Sequence, residues 1–214
     1  VEEKIIDLIT KTVMKELSSK ESGGIPIGVS ARHIHISRKD LDTLFGEDYQ
    51  LKKKKELMGG QFASAEMVTI VGTKLKAIEN VRILGPIRSK TQVEVARTDA
   101  IKLGINPPVR ESGDLKASAP IAIVGPKGVV YLEEGCIIAN RHIHMSPKDA
   151  FRFGVRDQEI VTVEIVGKRG GTFDDVQVRV DESFTLEMHL DTDEANGMGI
   201  ISGDHVVLKK KMKA

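Results

Sequence analysis

The sequence predicts a mainly β protein of two compact lobes, and three observations carry that expectation. Short runs of alternating apolar residues recur along the chain, as in Met67-Val-Thr-Ile-Val-Gly72 and Asp175-Val-Gln-Val-Arg-Val-Asp181. Gly-Pro, Pro-Lys-Gly and Arg-Gly-Gly turn signals separate them at intervals typical of sandwiches and barrels. A nine-residue segment is also written twice. Val29-Ser-Ala-Arg-His-Ile-His-Ile-Ser37 returns as Ile138-Ala-Asn-Arg-His-Ile-His-Met-Ser146, an offset of 142 − 33 = 109 in 214 residues. A duplication near half-length favours two lobes, and a 40% hydrophobic content can fill two small cores.

Residues 3–19 place Ile5, Ile6, Ile9, Val13 and Leu17 at helical spacing, with Lys4, Asp7, Lys11, Lys15 and Glu16 largely opposite, which describes an amphipathic helix. Ser18 to Gly24 form a polar linker, so this helix either folds back on its own lobe or docks on another protein. Strands are then expected at 26–30, 66–72, 79–84, 91–96, 119–124, 128–132, 136–141, 159–166, 172–180, 186–191 and 205–210. Ser37 with Asp40, and Ser146 with Pro147 and Asp149, are N-cap patterns that start brief helices ended by Gly46 and Gly154. Short helical stretches also follow Glu94 and His189. The organisation expected is a helix and linker over 1–24 and two His-x-His segments over 25–115 and 116–214.

With 32 basic and 31 acidic residues the net charge is +1, so no overall field recruits nucleic acid or anionic lipid. The single cysteine, Cys136, excludes an intrachain disulfide, points to a reducing compartment and reads as core filler. No apolar run approaches the roughly 18–20 residues that span a bilayer, and the start lacks a secretory apolar region. A soluble intracellular protein without membrane or nucleic-acid partners is expected.

Four of the six histidines sit in the duplicated segment. Strand alternation points His33 and His35 the same way, roughly 7 Å apart, and does the same for His142 and His144. Each pair is suited to a zinc-like ion. The alternative is a pair that hydrogen-bonds neighbouring carboxylates. Glu94, between Val93 and Val95, and His189, between Met188 and Leu190, are further candidate ligands. The helix starts beside Arg32 and Arg141 are favourable for anions. Lys52 to Lys55, Lys74, Lys76 and Arg82 add positive charge in the first half, whereas His205 reads as a surface residue. Such a site would act as a Lewis acid on an anionic or carbonyl substrate. No phosphate loop, Rossmann fingerprint, Gly-x-Ser-x-Gly elbow or Cys-x-x-Cys is present, which weakens nucleotide hydrolases, dehydrogenases, serine hydrolases and zinc ribbons.

These segments, with Gly60-Gln-Phe-Ala63, Val81-Arg-Ile-Leu-Gly-Pro86, Arg88, Gln92-Val-Glu-Val95, Arg110-Glu-Ser-Gly-Asp114 and Met188-His-Leu-Asp-Thr-Asp-Glu-Ala-Asn196, resemble the PduL-type phosphate propanoyltransferases over about 25–211. The resemblance implies two β-barrels capped by short helices, with strands exchanged between them. It implies two zinc ions per chain on His33, His35, Glu94, His142, His144 and His189. It makes Arg88 the phosphate-binding, catalytic residue, and assigns coenzyme A contacts to Val29, Ser30, Ala31, Lys55, Arg82 and Asn196. The implied reaction passes an acyl group reversibly between propanoyl-CoA or acetyl-CoA and inorganic phosphate. A homo-oligomer in the bacterial cytoplasm or a microcompartment lumen is expected, with 1–19 contacting a shell or lumen protein. Leu57-Met-Gly-Gly-Gln-Phe-Ala63 departs from the usual Gln-Pro-Gly-Gln-Phe-Ala, which bears on loop geometry and acyl preference. The competing readings are a metal-dependent thioesterase or ester hydrolase and a non-enzymatic metal-binding microcompartment component.

Overall fold

The computed structural model describes residues 24–209, and their strands close into two six-stranded barrels. The amphipathic 3–19 segment and the basic stretch after Lys209 lie outside the described residues.

The first barrel runs β4 (Phe62–Val71), β5 (Ala77–Arg88), β2 (His33–Ser37), β6 (Gln92–Glu94), β9 (Val129–Ala139) and β8 (Ala119–Val124), which closes on β4. Two short strands extend its rim: β3 (Lys53–Glu56) on β4 and β7 (Val109–Arg110) on β9. The second barrel runs β1 (Ile25–Ser30), β13 (Glu187–Asp191), β10 (His142–Met145), β12 (Gly171–Val180), β11 (Ile160–Ile165) and β14 (His205–Lys209), which closes on β1. Full closure leaves these strands no edge to pair with another chain. The barrels do exchange strands. β1 precedes every element of the first barrel in sequence yet belongs to the second, while β8 and β9 from beyond residue 116 complete the first.

Alternation decides which side chains fill each interior. Ile34, Ile36, Ile70, Ile83, Ile121 and Ile123 are wholly buried in the first core. Ile25, Ile143, Met145, Val163, Val176 and Val178 are wholly buried in the second. Cys136 is fully buried in the first core, and that burial pushes its thiol up to about 12. The thiol is therefore protonated at pH 8, where a thiol reagent is expected to find none in the native protein and one after unfolding.

Among the described residues, four short helices follow strands. α1 (Arg38–Phe45) starts at Ser37, whose side chain accepts from Asp40 N, and buries Leu41, Leu44 and Phe45. α3 (Pro147–Phe153) has a full capping box between Ser146 and Asp149 and ends at left-handed Gly154. α2 (Arg97–Leu103) and α4 (Thr192–Met198) follow β6 and β13, and both end on left-handed glycines, Gly104 and Gly199.

Three strand expectations change, β7 among them, since no strand is expected over 109–110. The predicted strands 128–132 and 136–141 are one strand, β9, because the chain continues through Gly135 in place of turning there. A Cβ at Gly135 would stand 2.5 Å from Leu132, so the glycine allows close packing within the strand. β3 went unpredicted because all four of its residues are exposed, which leaves no apolar alternation to read.

Candidate metal centre between the two barrels

A cavity of about 390 Å³ is lined by residues of both barrels, including both His-x-His pairs. In the first barrel, β2 runs antiparallel to β6 and sets His33 opposite Glu94 and His35 opposite Gln92. In the second, β10 runs antiparallel to β13 and sets His142 opposite His189 and His144 opposite Glu187. Each pair of strands therefore assembles three candidate ligands: His33, His35 and Glu94, and His142, His144 and His189.

The spacing of the first set suits a metal. His33 Nε2 lies 3.2 Å from His35 Nε2, and Glu94 oxygens lie 3.5 Å from His33 Nε2 and 3.7 Å from His35 Nε2. A tetrahedral ion with ligand bonds of about 2.0–2.1 Å separates its donors by about 3.3 Å. The second set has its three donor atoms within 4.8 Å of one another, with ring centroids 4.7–5.0 Å apart.

Backbone carbonyls fix the tautomers. His33 Nδ1 lies 2.9 Å from Ala31 O and His142 Nδ1 2.8 Å from Asn140 O. A carbonyl can only accept, so each Nδ1 carries the proton and each Nε2 presents a lone pair. The Nδ1 atoms of His35 and His144 are buried with no hydrogen-bond partner among the described residues. Burial pushes His35 down to about 3, His142 to about 4 and His144 to about 2, so these three imidazoles are neutral at pH 7. Burial pushes Glu94 upward, yet His33, His35, the Ser112 hydroxyl and Arg88 together hold it below its ordinary value. Neutral imidazoles beside an ionised carboxylate are the protonation states that metal binding requires.

Arg88, at the end of β5, also lines the cavity and donates to Ser112 Oγ at 3.2 Å. It makes no direct ion pair among the described residues, and burial lowers its pKa while Glu94 opposes the shift. Val29, Ser30 and Ala31 line the same cavity, whereas Lys55, Arg82 and Asn196 are not among its lining residues. The expectation that Arg32 and Arg141 mark open anion sites needs correction. Arg32 pairs with Asp99 and Arg141 with Glu194, each at 2.8 Å, and the helix starts beside them are capped by Ser37 and Ser146.

Several cavity residues carried no site role in the sequence reading. Gln92 Nε2 donates to Glu94 Oε1 at 2.6 Å and to Ser112 Oγ at 2.9 Å, so it fixes the carboxylate. Arg179 sits beside His144 in the parallel β10–β12 pair and forms an ion pair with Glu111 at 3.5 Å. Phe184 stacks on His144 with ring centroids 4.1 Å apart. The turn at Met58–Gly60, where the sequence departs from the usual motif, faces this ring across Gly59.

A family model described as phosphate propanoyltransferase matches residues 26–201. The chain is 59% identical over 212 residues to the phosphate propanoyltransferase of Lachnoclostridium phytofermentans, which covers 97% of this chain and 100% of that protein. It is 56% identical over 191 residues to the phosphate propanoyltransferase of Thermotoga maritima, covering 88% of this chain and 90% of that one. A third such protein, from Priestia megaterium, is 51% identical over 206 residues, covering 95% and 94% of the two chains. The class is thereby defined: this is an acyltransferase. The chain belongs to the phosphate propanoyltransferase family. Among the described residues no helix is long and apolar enough to cross a membrane.

Proposed function

We propose that the chain is a zinc-dependent phosphate acyltransferase, interconverting propanoyl-CoA or acetyl-CoA and inorganic phosphate with the acyl phosphate and CoA. The observation that carries this reading is the meeting of two metal-suited ligand sets and the Arg88 guanidinium at one cavity, in a chain of this family. His33, His35 and Glu94 would hold one ion, and His142, His144 and His189 the other. Zinc bound there supplies a Lewis acid able to polarise the thioester carbonyl and stabilise a departing thiolate.

The protein's own groups do the positioning. The Arg88 fork is matched to phosphate oxygens, and its present partner is a neutral hydroxyl that a phosphate could replace. Held there, a phosphate oxygen attacks the thioester carbonyl carbon while the carbon–sulfur bond breaks and CoA leaves as thiolate. The displacement is direct once the two substrates are oriented, so no covalent acyl-enzyme is needed. Val29, Ser30 and Ala31 would meet CoA at the cavity wall, with Arg82, Asn196 and Lys55 contacting it beyond. The Met58–Gly60 turn borders the cavity, which supports a role in acyl preference.

The test is release of free thiol from propanoyl-CoA with and without phosphate. Release that requires phosphate is expected; release indifferent to phosphate would make the enzyme a thioesterase. We also assign residues 1–19 to docking on a microcompartment shell or lumen protein. Removing 1–22 is then expected to leave turnover within about twofold while abolishing co-sedimentation with microcompartments.

A further inference from the structure

In each half the His-x-His strand has a parallel neighbour, β5 beside β2 and β12 beside β10. The two neighbours differ at a matched position. Leu84 stands opposite His35, the second histidine of the first pair, and Arg179 stands opposite His144, the second histidine of the other. Both line the cavity. A permanent positive charge beside imidazoles suited to a cation works against that cation, so an arginine where the first half has leucine serves something other than the metal. Alternation along β12 turns Val176 and Val178 into the second core and leaves Gln177 and Arg179 on the opposite face. There both reach Glu111, just past the rim strand β7 of the first barrel.

One short segment holds Arg179 and Arg88 together. Glu111 Oε1 lies 3.5 Å from Arg179 Nε, and Glu111 Oε2 accepts from Gln177 Nε2 at 3.3 Å. The next residue, Ser112, accepts from Arg88 Nη1 at 3.2 Å. Arg32, a third arginine at the cavity wall, gives a terminal nitrogen to Asp99. Arg179 meets Glu111 through Nε alone, and among the described residues its terminal nitrogens make no hydrogen bond. Burial lowers the pKa of Arg88, Glu94 opposes that, and the Arg179 charge lowers it further, so the two guanidiniums are close enough to repel. An anion in the cavity they share is attracted to both.

We propose that Arg179 is a second phosphate-binding residue of the transfer reaction, gripping inorganic phosphate from the second barrel as Arg88 does from the first. The inference rests on the phosphate acyltransferase reading above. Phosphate near neutral pH is largely a dianion, and one guanidinium balances only half of that charge. While the attacking oxygen bonds to the carbonyl carbon and the carbon–sulfur bond breaks, Arg179 stays protonated and transfers no proton. Its task is to hold phosphate oxygens that do not react. A pair of cations also favours phosphate over water as the nucleophile, because neutral water gains little from them.

The test uses the full chain loaded with zinc. Inorganic phosphate is titrated calorimetrically without acyl-CoA, and initial rates of acyl phosphate formation are measured at varied phosphate and varied propanoyl-CoA. Arg179→Met, which fills similar space without charge, should weaken phosphate binding and raise the KM for phosphate about 10–100-fold, the effect of losing a charged hydrogen bond. The KM for propanoyl-CoA should stay within about twofold. Arg179→Lys keeps the charge without the planar fork and should recover part of the loss, and it carries the test if the methionine variant does not fold. Wild-type phosphate binding and KM in these variants would overturn the proposal. So would a rise confined to the KM for propanoyl-CoA, which would place Arg179 on the phosphates of CoA. Equal rises in both KM values with a lower melting temperature would make it a strut between the barrels and also overturn it. Wild-type turnover indifferent to phosphate would remove the acyltransferase reading itself, and the proposal with it.

Discussion

Stripping the protein with a chelator is expected to lower phosphate-dependent thiol release by more than about 100-fold, with zinc alone restoring it. The expectation follows from the donor sets. His35, His142 and His144 are held neutral by burial, so protons do not compete for them at pH 7. His33 and His142 are locked by Ala31 O and Asn140 O with Nε2 free to coordinate. The first set is already at nearly tetrahedral spacing, with donors 3.2–3.7 Å apart, so little reorganisation opposes binding. Metal content and turnover should be followed together during reconstitution. Full activity in protein shown to contain no metal would sink the two-ion reading.

Replacing Arg88 with alanine should reduce phosphate-dependent turnover by about 10²–10³-fold, the effect of removing one preorganised charged donor from a reacting group. Arg88→Lys should recover only part of this, because an ammonium keeps the charge and loses the planar fork. The fold should survive, since Arg88 stands at the end of β5 and, among the described residues, makes a single side-chain hydrogen bond, to Ser112. The decisive measurement compares acyl phosphate formation with hydrolysis of the same acyl-CoA. Loss of the first with the second untouched would assign Arg88 to phosphate. Loss of neither would displace it from the reaction.

Much of the site was legible because the duplication is literal. The repeated Arg-His-Ile-His, and the Glu94 and His189 positions between apolar neighbours, named all six candidate ligands before any strand was paired. Gln92 carries no such signal, because a glutamine in a strand shows no chemistry until its neighbour, here Glu94, is known. Phe184 offered no signal at all: it lies in a turn, and only tertiary packing sets it on His144.

Most of the strands, their alternation and the helix caps at Ser37 and Ser146 are local matters, and the sequence alone determined them. Strand alternation is fixed residue by residue, and a cap acts within one turn. Which strand enters which barrel was decided only in the tertiary structure, where β1 leaves its sequence neighbours to pair with β13 and β14. So too were the pairing of Arg32 and Arg141 with Asp99 and Glu194 and the meeting of both histidine pairs at one cavity. The physical reason is that these contacts join groups tens of residues apart, and their energies depend on geometry that exists only once both barrels have closed.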